Sequence, residues 1–353
     1  MSQRKRERGR KSALLAAALF ACVSCASADP PSLGVSQQGI IRGVESTPEL
    51  DAVVLVMHYD AIQIGGGAAG CTGTMLTPRL VLTARHCVAV TDESASCDAA
   101  GNATFGGAVR GNHDAKKIYA FAGRERPDFL SGLDKGARGV EIIDDAAMSL
   151  CNHDIALVLL DRALPGVRTA PLRLADGPRQ GESVTVVGFG VTDTTSTPAK
   201  RQQRGGVKVL SVGPAERLGP AEFRVDESGC AGDSGGPAIA ESTGAVLGVL
   251  SRGGNDKGAV GPPEACFGAE NVFTSVAKYR DLIATAYVKA GQKPWEEGEV
   301  DPATLPPDEG GEEEGGCGVG PGRGPRDAGM GLAGMIVIAA CVRRRRAAMI
   351  AAR

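Results

Sequence analysis

Aromatic residues are scarce in this chain, at 4% with a single tryptophan, and neither sign of charge dominates, since the formal net charge is −2. That balance excludes the global basic field that holds nucleic acid or acidic lipid. No apolar run reaches the roughly 20 residues that cross a bilayer as a helix. No alternation of strands with helical segments is visible, and no repeat recurs at a fixed period. What is abundant is glycine, 50 of 353 residues. Much glycine with few aromatics disfavours a helical bundle and favours a turn-rich β protein. The hydrophobic share of 42% is enough for a core and excludes disorder along the whole length. At about 150 residues per domain, the length allows two folded units or one large all-β unit with tails.

The two ends differ from the middle. A basic head from Arg4 to Lys11 runs into the apolar stretch Ala13 to Ala21, and Ala26-Ser27-Ala28 follows. This is the pattern of a signal peptide with an A-x-A cleavage site, over 1–28. A lipid anchor at Cys22 is the competing reading, since Leu19-Phe20-Ala21-Cys22 loosely resembles a lipobox. Residues 291–328 are rich in glycine, proline and glutamate, the composition of a solvated linker. Residues 329–353 combine a short apolar run with the arginines Arg343 to Arg346. The order of Cys317-Gly318, apolar run and arginine cluster resembles the MYXO-CTERM sorting tail of myxobacterial surface proteins. That resemblance implies export and surface-sorting machinery as partners, with the protein at the cell surface or outer membrane or released after processing. A plain C-terminal membrane anchor is the alternative, and either way the body lies outside the cytoplasm.

Between the ends, Val53–Val56, Leu80–Leu82, Ile155–Leu160, Val184–Val187 and Ala245–Leu250 are short apolar runs bounded by turn residues. Their length and β-branched content read as strands. One helix is expected, from Val276 to Tyr287. Six of the ten cysteines lie between Cys71 and Cys266, an even number that suits three disulfides in an oxidising compartment. The body has no C-x-x-C or H-x-x-x-H spacing, so neither metal nor cofactor is expected.

Three local motifs carry chemistry: Leu82-Thr83-Ala84-Arg85-His86-Cys87, His153-Asp154-Ile155-Ala156-Leu157 and Gly232-Asp233-Ser234-Gly235-Gly236-Pro237. A serine hydroxyl is a poor nucleophile at neutral pH and needs a base within reach. A histidine can take that proton and return it to the leaving amine, and a buried carboxylate can fix its tautomer. Together, in the order His86, Asp154, Ser234, the motifs resemble the chymotrypsin/trypsin family of serine proteases over residues 40–290. His58, His113 and His153 are read as ordinary structural or surface histidines.

The resemblance implies an all-β body of two antiparallel β-barrels with a short C-terminal helix. It implies an oxyanion hole from the amides of Gly232 and Ser234, and protein or peptide substrates. The long interval from His86 to Asp154 implies an inserted loop between Val88 and Ser149. Ile40-Ile41-Arg42-Gly43 resembles the N-terminus that the family exposes on zymogen cleavage, so Ile40 and Asp233 are the implied activation pair and 29–39 a propeptide. Arg42 stands where glycine is usual, and Gly39 precedes the bond in place of Lys or Arg, so the activating protease is not trypsin-like. Family bridges are implied for Cys71–Cys87 and Cys230–Cys266; Cys97 and Cys151 are left to pair with each other. Ser228 falls on the floor of the substrate pocket, where trypsin-type members carry aspartate. Ser251 and Gly253 match the strand that pairs with substrate, with Arg252 in place of the usual tryptophan. Asn271 stands at a wall position where glycine is common. These positions imply a small or medium uncharged residue at P1, although Asp226 and Glu227 lie one or two residues from Ser228. The protein is expected to be a monomer. A protease-like surface protein that binds without turnover is the alternative.

Overall fold

The computed structural model describes residues 40–60, 70–128, 132–193, 198–255 and 261–305. The signal peptide, propeptide and sorting segment expected from the sequence lie outside these residues. The chain enters at Ile40 and forms a two-residue edge strand, β1 (Val44–Glu45). It then builds β2 (Val53–His58), β3 (Cys71–Thr77) and β4 (Leu80–Thr83). An insertion follows, made of two antiparallel pairs: β5 (Ala89–Thr91) with β8 (Val109–Asn112), and β6 (Ala95–Cys97) with β7 (Ala103–Gly106). Next come β9 (Ile118–Phe121), β10 (Ala137–Ile143) and β11 (Ala156–Leu160). Strands β10-β11-β4-β3-β2-β9 close into an antiparallel barrel.

The second half contributes β12 (Ser183–Gly188), β13 (Gln202–Val212), β14 (Glu222–Val225), β15 (Pro237–Ala240), β16 (Val246–Gly254) and β17 (Glu270–Ser275). They run β13-β12-β15-β16-β17-β14, and β14 pairs back on β13 to close a second six-stranded barrel. Closure leaves few free edges, which is how small antiparallel sheets avoid pairing with other chains. A 3-10 turn at Val276–Tyr279 leads into the C-terminal helix Arg280–Lys289.

Alternation decides what fills each barrel. In β2, Val54 and Val56 point into the first core with Met75, Val81, Ile118 and Val158. The intervening Val53 belongs to the cluster between barrels and helix, which includes Leu82, Leu157, Val187, Ile283 and Tyr287. This is the period of two expected for a strand. The second core holds Val184, Val186, Val209 and the stacked rings of Phe223 and Phe273, 5.4 Å apart. The two barrels are therefore filled separately, with a dense apolar layer between them.

One boundary moves. The linker expected from residue 291 is docked over its first part. Leu172 N donates to Trp295 O at 2.9 Å and Glu297 N to Leu172 O at 2.9 Å. The buried Arg173 holds Glu297 through Nε at 2.6 Å and Nη2 at 2.7 Å. The folded body thus extends to Leu305, and the rest of the linker lies outside the described residues.

Candidate active site

The turn after β4 carries His86 on the 3-10 segment Arg85–Cys87. Asp154 lies two residues before the start of β11, which pairs with β4 at Leu157↔Leu82. That register brings the two side chains together. His86 Nδ1 lies 2.7 Å from Asp154 Oδ2, and the His86 amide donates to Asp154 Oδ1 at 2.9 Å. Asp154 is buried. Burial opposes its charge, but the His86 charge and hydrogen bonds, with the Ser251 hydroxyl, outweigh this and hold its pKa below the ordinary value. For His86, burial pulls the pKa down, and the charge and hydrogen bond of Asp154 more than offset it, leaving the pKa raised.

Ser234 comes from the other barrel, on the turn before β15. It lines the same cavity, of about 600 Å³, as His86, Asp154 and Ser251. No direct hydrogen bond joins the Ser234 hydroxyl to the His86 ring. The Ser234 turn is shaped by Thr72 of the first barrel. Its Oγ1 donates to Gly232 O at 3.0 Å, and its amide donates to Ser234 O at 2.8 Å. The carbonyls of Gly232 and Ser234 are thereby directed to Thr72. Gly232 has φ +96°, a left-handed conformation that L side chains rarely adopt. Within the turn, the amides of Asp233, Gly235 and Gly236 have carbonyl acceptors, at Cys230, Leu250 and Asp233. Those of Gly232 and Ser234 have none among the described residues. Two unpaired amides beside a serine are what an oxyanion hole needs.

Behind the turn, Asp233 is fully buried. It accepts from Gly190 N at 2.7 Å and Cys230 N at 2.9 Å. Burial drives its pKa up to about 7, against the pull of these two amides and of Arg126. The segment that leads from Ile40 is set into the same barrel. Ile40 and Ile41 are both buried, and Ile41 N donates to Ser228 O at 2.9 Å.

The profile of the family described as Trypsin matches residues 57–283, more than half of the chain. The chain belongs to the trypsin family. It is 25% identical over 302 residues to a chymotrypsin of Phaedon cochleariae, covering 78% of this chain and 97% of that relative. It is 27% identical over 195 residues to the cercarial protease of Schistosoma mansoni, covering 52% of this chain and 70% of that relative. Among solved structures it is similar to neuropsin, a serine protease expressed in the limbic system of mouse brain. There the identity is 19% and the TM-score 0.48, over 70% of this chain and 99% of that one. The chain is a serine-type endopeptidase acting on protein or peptide substrates.

Within this trypsin-family body the pocket residues fall as follows. Ser228 is buried, and Asn271 Oδ1 gathers Ser228 N at 3.0 Å, Ser228 Oγ at 3.0 Å and Gly229 N at 2.9 Å. Asn271, Gly229 and Gly253 line the cavity. Ser228 itself, expected at the pocket floor, does not line it, and neither do the nearby acids. Asp226 is exposed, and Glu227 is tied to Arg42 Nε and Arg204 Nη1, each at 3.2 Å, and to Gly268 N. Arg42 has φ +58°, so an arginine occupies a glycine-type conformation while its charge is matched by Glu227.

Among the described residues there are three disulfides, Cys71–Cys87, Cys97–Cys151 and Cys230–Cys266. Cys71, His86 and Cys87 bring metal-type donor atoms together, but both sulfurs are bonded to each other and offer no thiolate. The Cys97–Cys151 bridge ties the insertion to the Asp154 loop, and insertion residues Thr91, Asp92 and Glu93 form one wall of the cavity. Of the other histidines, His58 and His113 pack ring to ring at 4.3 Å, and His153 pairs with Asp145 at 2.5 Å. Thr72 and the insertion wall were not singled out from sequence. Neither belongs to a recognisable motif, and each becomes part of the site only by folding.

Proposed function

We propose that this chain is an exported endopeptidase that cleaves peptide bonds through an acyl-enzyme. Ser234 is the nucleophile, His86 the general base and acid, and Asp154 the group that orients and stabilises the imidazolium. Ser234 Oγ attacks the carbonyl carbon while its proton passes to His86 Nε2. Asp154 keeps a proton on Nδ1 and supplies the opposing charge. The carbonyl oxygen becomes negative and takes the amides of Gly232 and Ser234. Collapse of the tetrahedral centre breaks the C–N bond, and the Nε2 proton goes to the leaving amine. Water then attacks the ester, loses a proton to His86, and releases the acid as the proton returns to Ser234. Bonds to the nucleophile are often long before substrate binds, so the lack of a direct Ser234–His86 hydrogen bond is compatible with this role.

The observation that carries this reading is the pair of acceptor-free amides at Gly232 and Ser234, beside a serine that shares a cavity with the His86–Asp154 couple. A small or medium uncharged P1 residue is supported by Asn271, which lines the cavity with its side-chain oxygen held by the buried Ser228, while neither Asp226 nor Glu227 lines it. Cleavage before Ile40 would free an ammonium to pair with buried Asp233. Three disulfides favour an oxidising, extracytoplasmic location. Labelling of Ser234 by a fluorophosphonate, with Ser234→Ala as control, tests the assignment. Absence of labelling in processed protein would shift the reading to a protease-like binding protein. N-terminal sequencing of active material tests the cut at Ile40.

A further inference from the structure

Arg126 belongs to the first barrel's half of the chain, yet its side chain serves the second. Its amide donates to Ala199 O at 2.7 Å and its Nε to Pro198 O at 3.3 Å, which anchors the residue across the two halves. Its Nη2 donates to Phe189 O at 2.5 Å. That carbonyl belongs to the peptide group whose N–H, on Gly190, donates to Asp233 Oδ1 at 2.7 Å. A cation and a buried carboxylate therefore grip opposite ends of one peptide. Drawing charge toward the oxygen makes the N–H a stronger donor, so the two hydrogen bonds reinforce each other. The approach is close. A Cβ on Gly190 would lie 2.5 Å from the Asp233 carboxyl carbon and 2.6 Å from its amide nitrogen. Arg126 is also the charged group that acts on Asp233 directly.

Each of these contacts is made by groups other than the Ile40 amine, so no free ammonium is needed for them. We propose that Arg126 is a standing cationic partner of Asp233, acting through the Phe189–Gly190 peptide, that holds the Ser234 turn in its donor-ready shape before cleavage. The uncut chain then keeps part of the activity of the cut one. This rests on the reading of Ser234 as nucleophile and of Ile40 as the activating terminus. Once the chain is cut, the Ile40 ammonium supplies a second cation and Arg126 becomes less important. Arg126 is a positioning residue and touches no reacting atom.

The test compares the full uncut chain with the cut chain, each identified by intact mass, in wild type, Arg126→Met and Arg126→Lys. The readout is the rate of Ser234 labelling by a fluorophosphonate. The wild-type uncut chain should label measurably, about 10- to 100-fold more slowly than the cut chain. Arg126→Met should slow the uncut chain by a further factor of about ten or more, and the cut chain by about threefold at most. Arg126→Lys should restore part of the uncut rate, because it keeps the charge. An uncut wild type that does not label beside a cut form that does would overturn the proposal. So would Arg126→Met slowing both forms equally, as a general folding role would, or slowing neither. Failure of both forms to label would remove the nucleophile assignment and this inference with it.

Discussion

Arg252 and Glu222 form a two-pronged ion pair, with Nη1 at 2.6 Å from Oε1 and Nη2 at 2.8 Å from Oε2, and the Glu222 side chain is wholly buried. The same carboxylate accepts the amides of Asn152 at 3.1 Å and Gly219 at 2.9 Å. It thus links the strand carrying Ser251 to the loop carrying Asp154. Burial raises the pKa of Glu222, but Arg252 and the amides overcome this and hold it low. A carboxylate with a lowered folded pKa contributes stability above its unfolded pKa and loses it on acidification.

Removing one partner should therefore be costly, since it leaves a buried charge unpaired. Arg252→Met is expected to destabilise the body by about 3–5 kcal/mol. Adding Glu222→Gln should recover much of that loss, because the uncompensated charge goes. Urea unfolding of the two single variants and the double variant gives the coupling. Equal losses in the single and double variants would refute it.

The pH profile should reflect His86. Asp154 raises its pKa, so the acid limb of kcat/KM should have its midpoint above about 6.5, the ordinary value for histidine. The stabilisation from the charged pair is complete below the unfolded histidine pKa and is lost as pH rises through the raised folded one. Asp154→Asn should lower kcat by about 10⁴ and move the limb down. Rate–pH profiles of both proteins decide this. A limb centred well below 6.5 in the wild type would contradict it.

How much could be read in advance depended on how local the signal was. The sequences around His86, Asp154 and Ser234 are contiguous, so their resemblance was legible before any fold. The same holds for the main strands, whose apolar alternation is local, and for the insertion, which announced itself as extra length between His86 and Asp154. Arg126 with Asp233 and Arg252 with Glu222 were not legible. Nothing in a run of residues marks which distant charge a buried carboxylate will meet. Residues 291–305 misled for a related reason. Their composition is that of a spacer, but Trp295 lends Leu172 a backbone partner and Glu297 answers the buried Arg173.

The Cys97–Cys151 bridge closes a loop across a sequence separation of 54. Chain-entropy arguments give about 4 kcal/mol for a loop of that size. The double variant Cys97→Ser/Cys151→Ser should unfold at correspondingly lower urea. Because the bridge also holds the cavity wall at Thr91 to Glu93, KM for extended peptides should rise more than kcat falls. A loss of stability with unchanged KM would show that the wall is held by its strands alone.

Asn271 offers the sharpest test of the pocket. Its side-chain oxygen gathers two amides and the Ser228 hydroxyl, and its Nδ2 reaches Gly229 O at 3.2 Å, so the carboxamide is pinned on the cavity lining, where on the proposed reading it limits the P1 side chain. Asn271→Gly removes that carboxamide and leaves three donors that water entering the open cavity can satisfy. Preference in a P1-varied peptide series should then shift toward aromatic residues by about tenfold or more, the scale that a few methylenes of pocket volume can provide. Asn271→Asp, in contrast, keeps the volume and places a carboxylate on the cavity lining, which should raise cleavage after lysine or arginine. If both variants kept the wild-type preference, P1 selection would have to reside elsewhere in the cavity, and the insertion wall would be the first place to look.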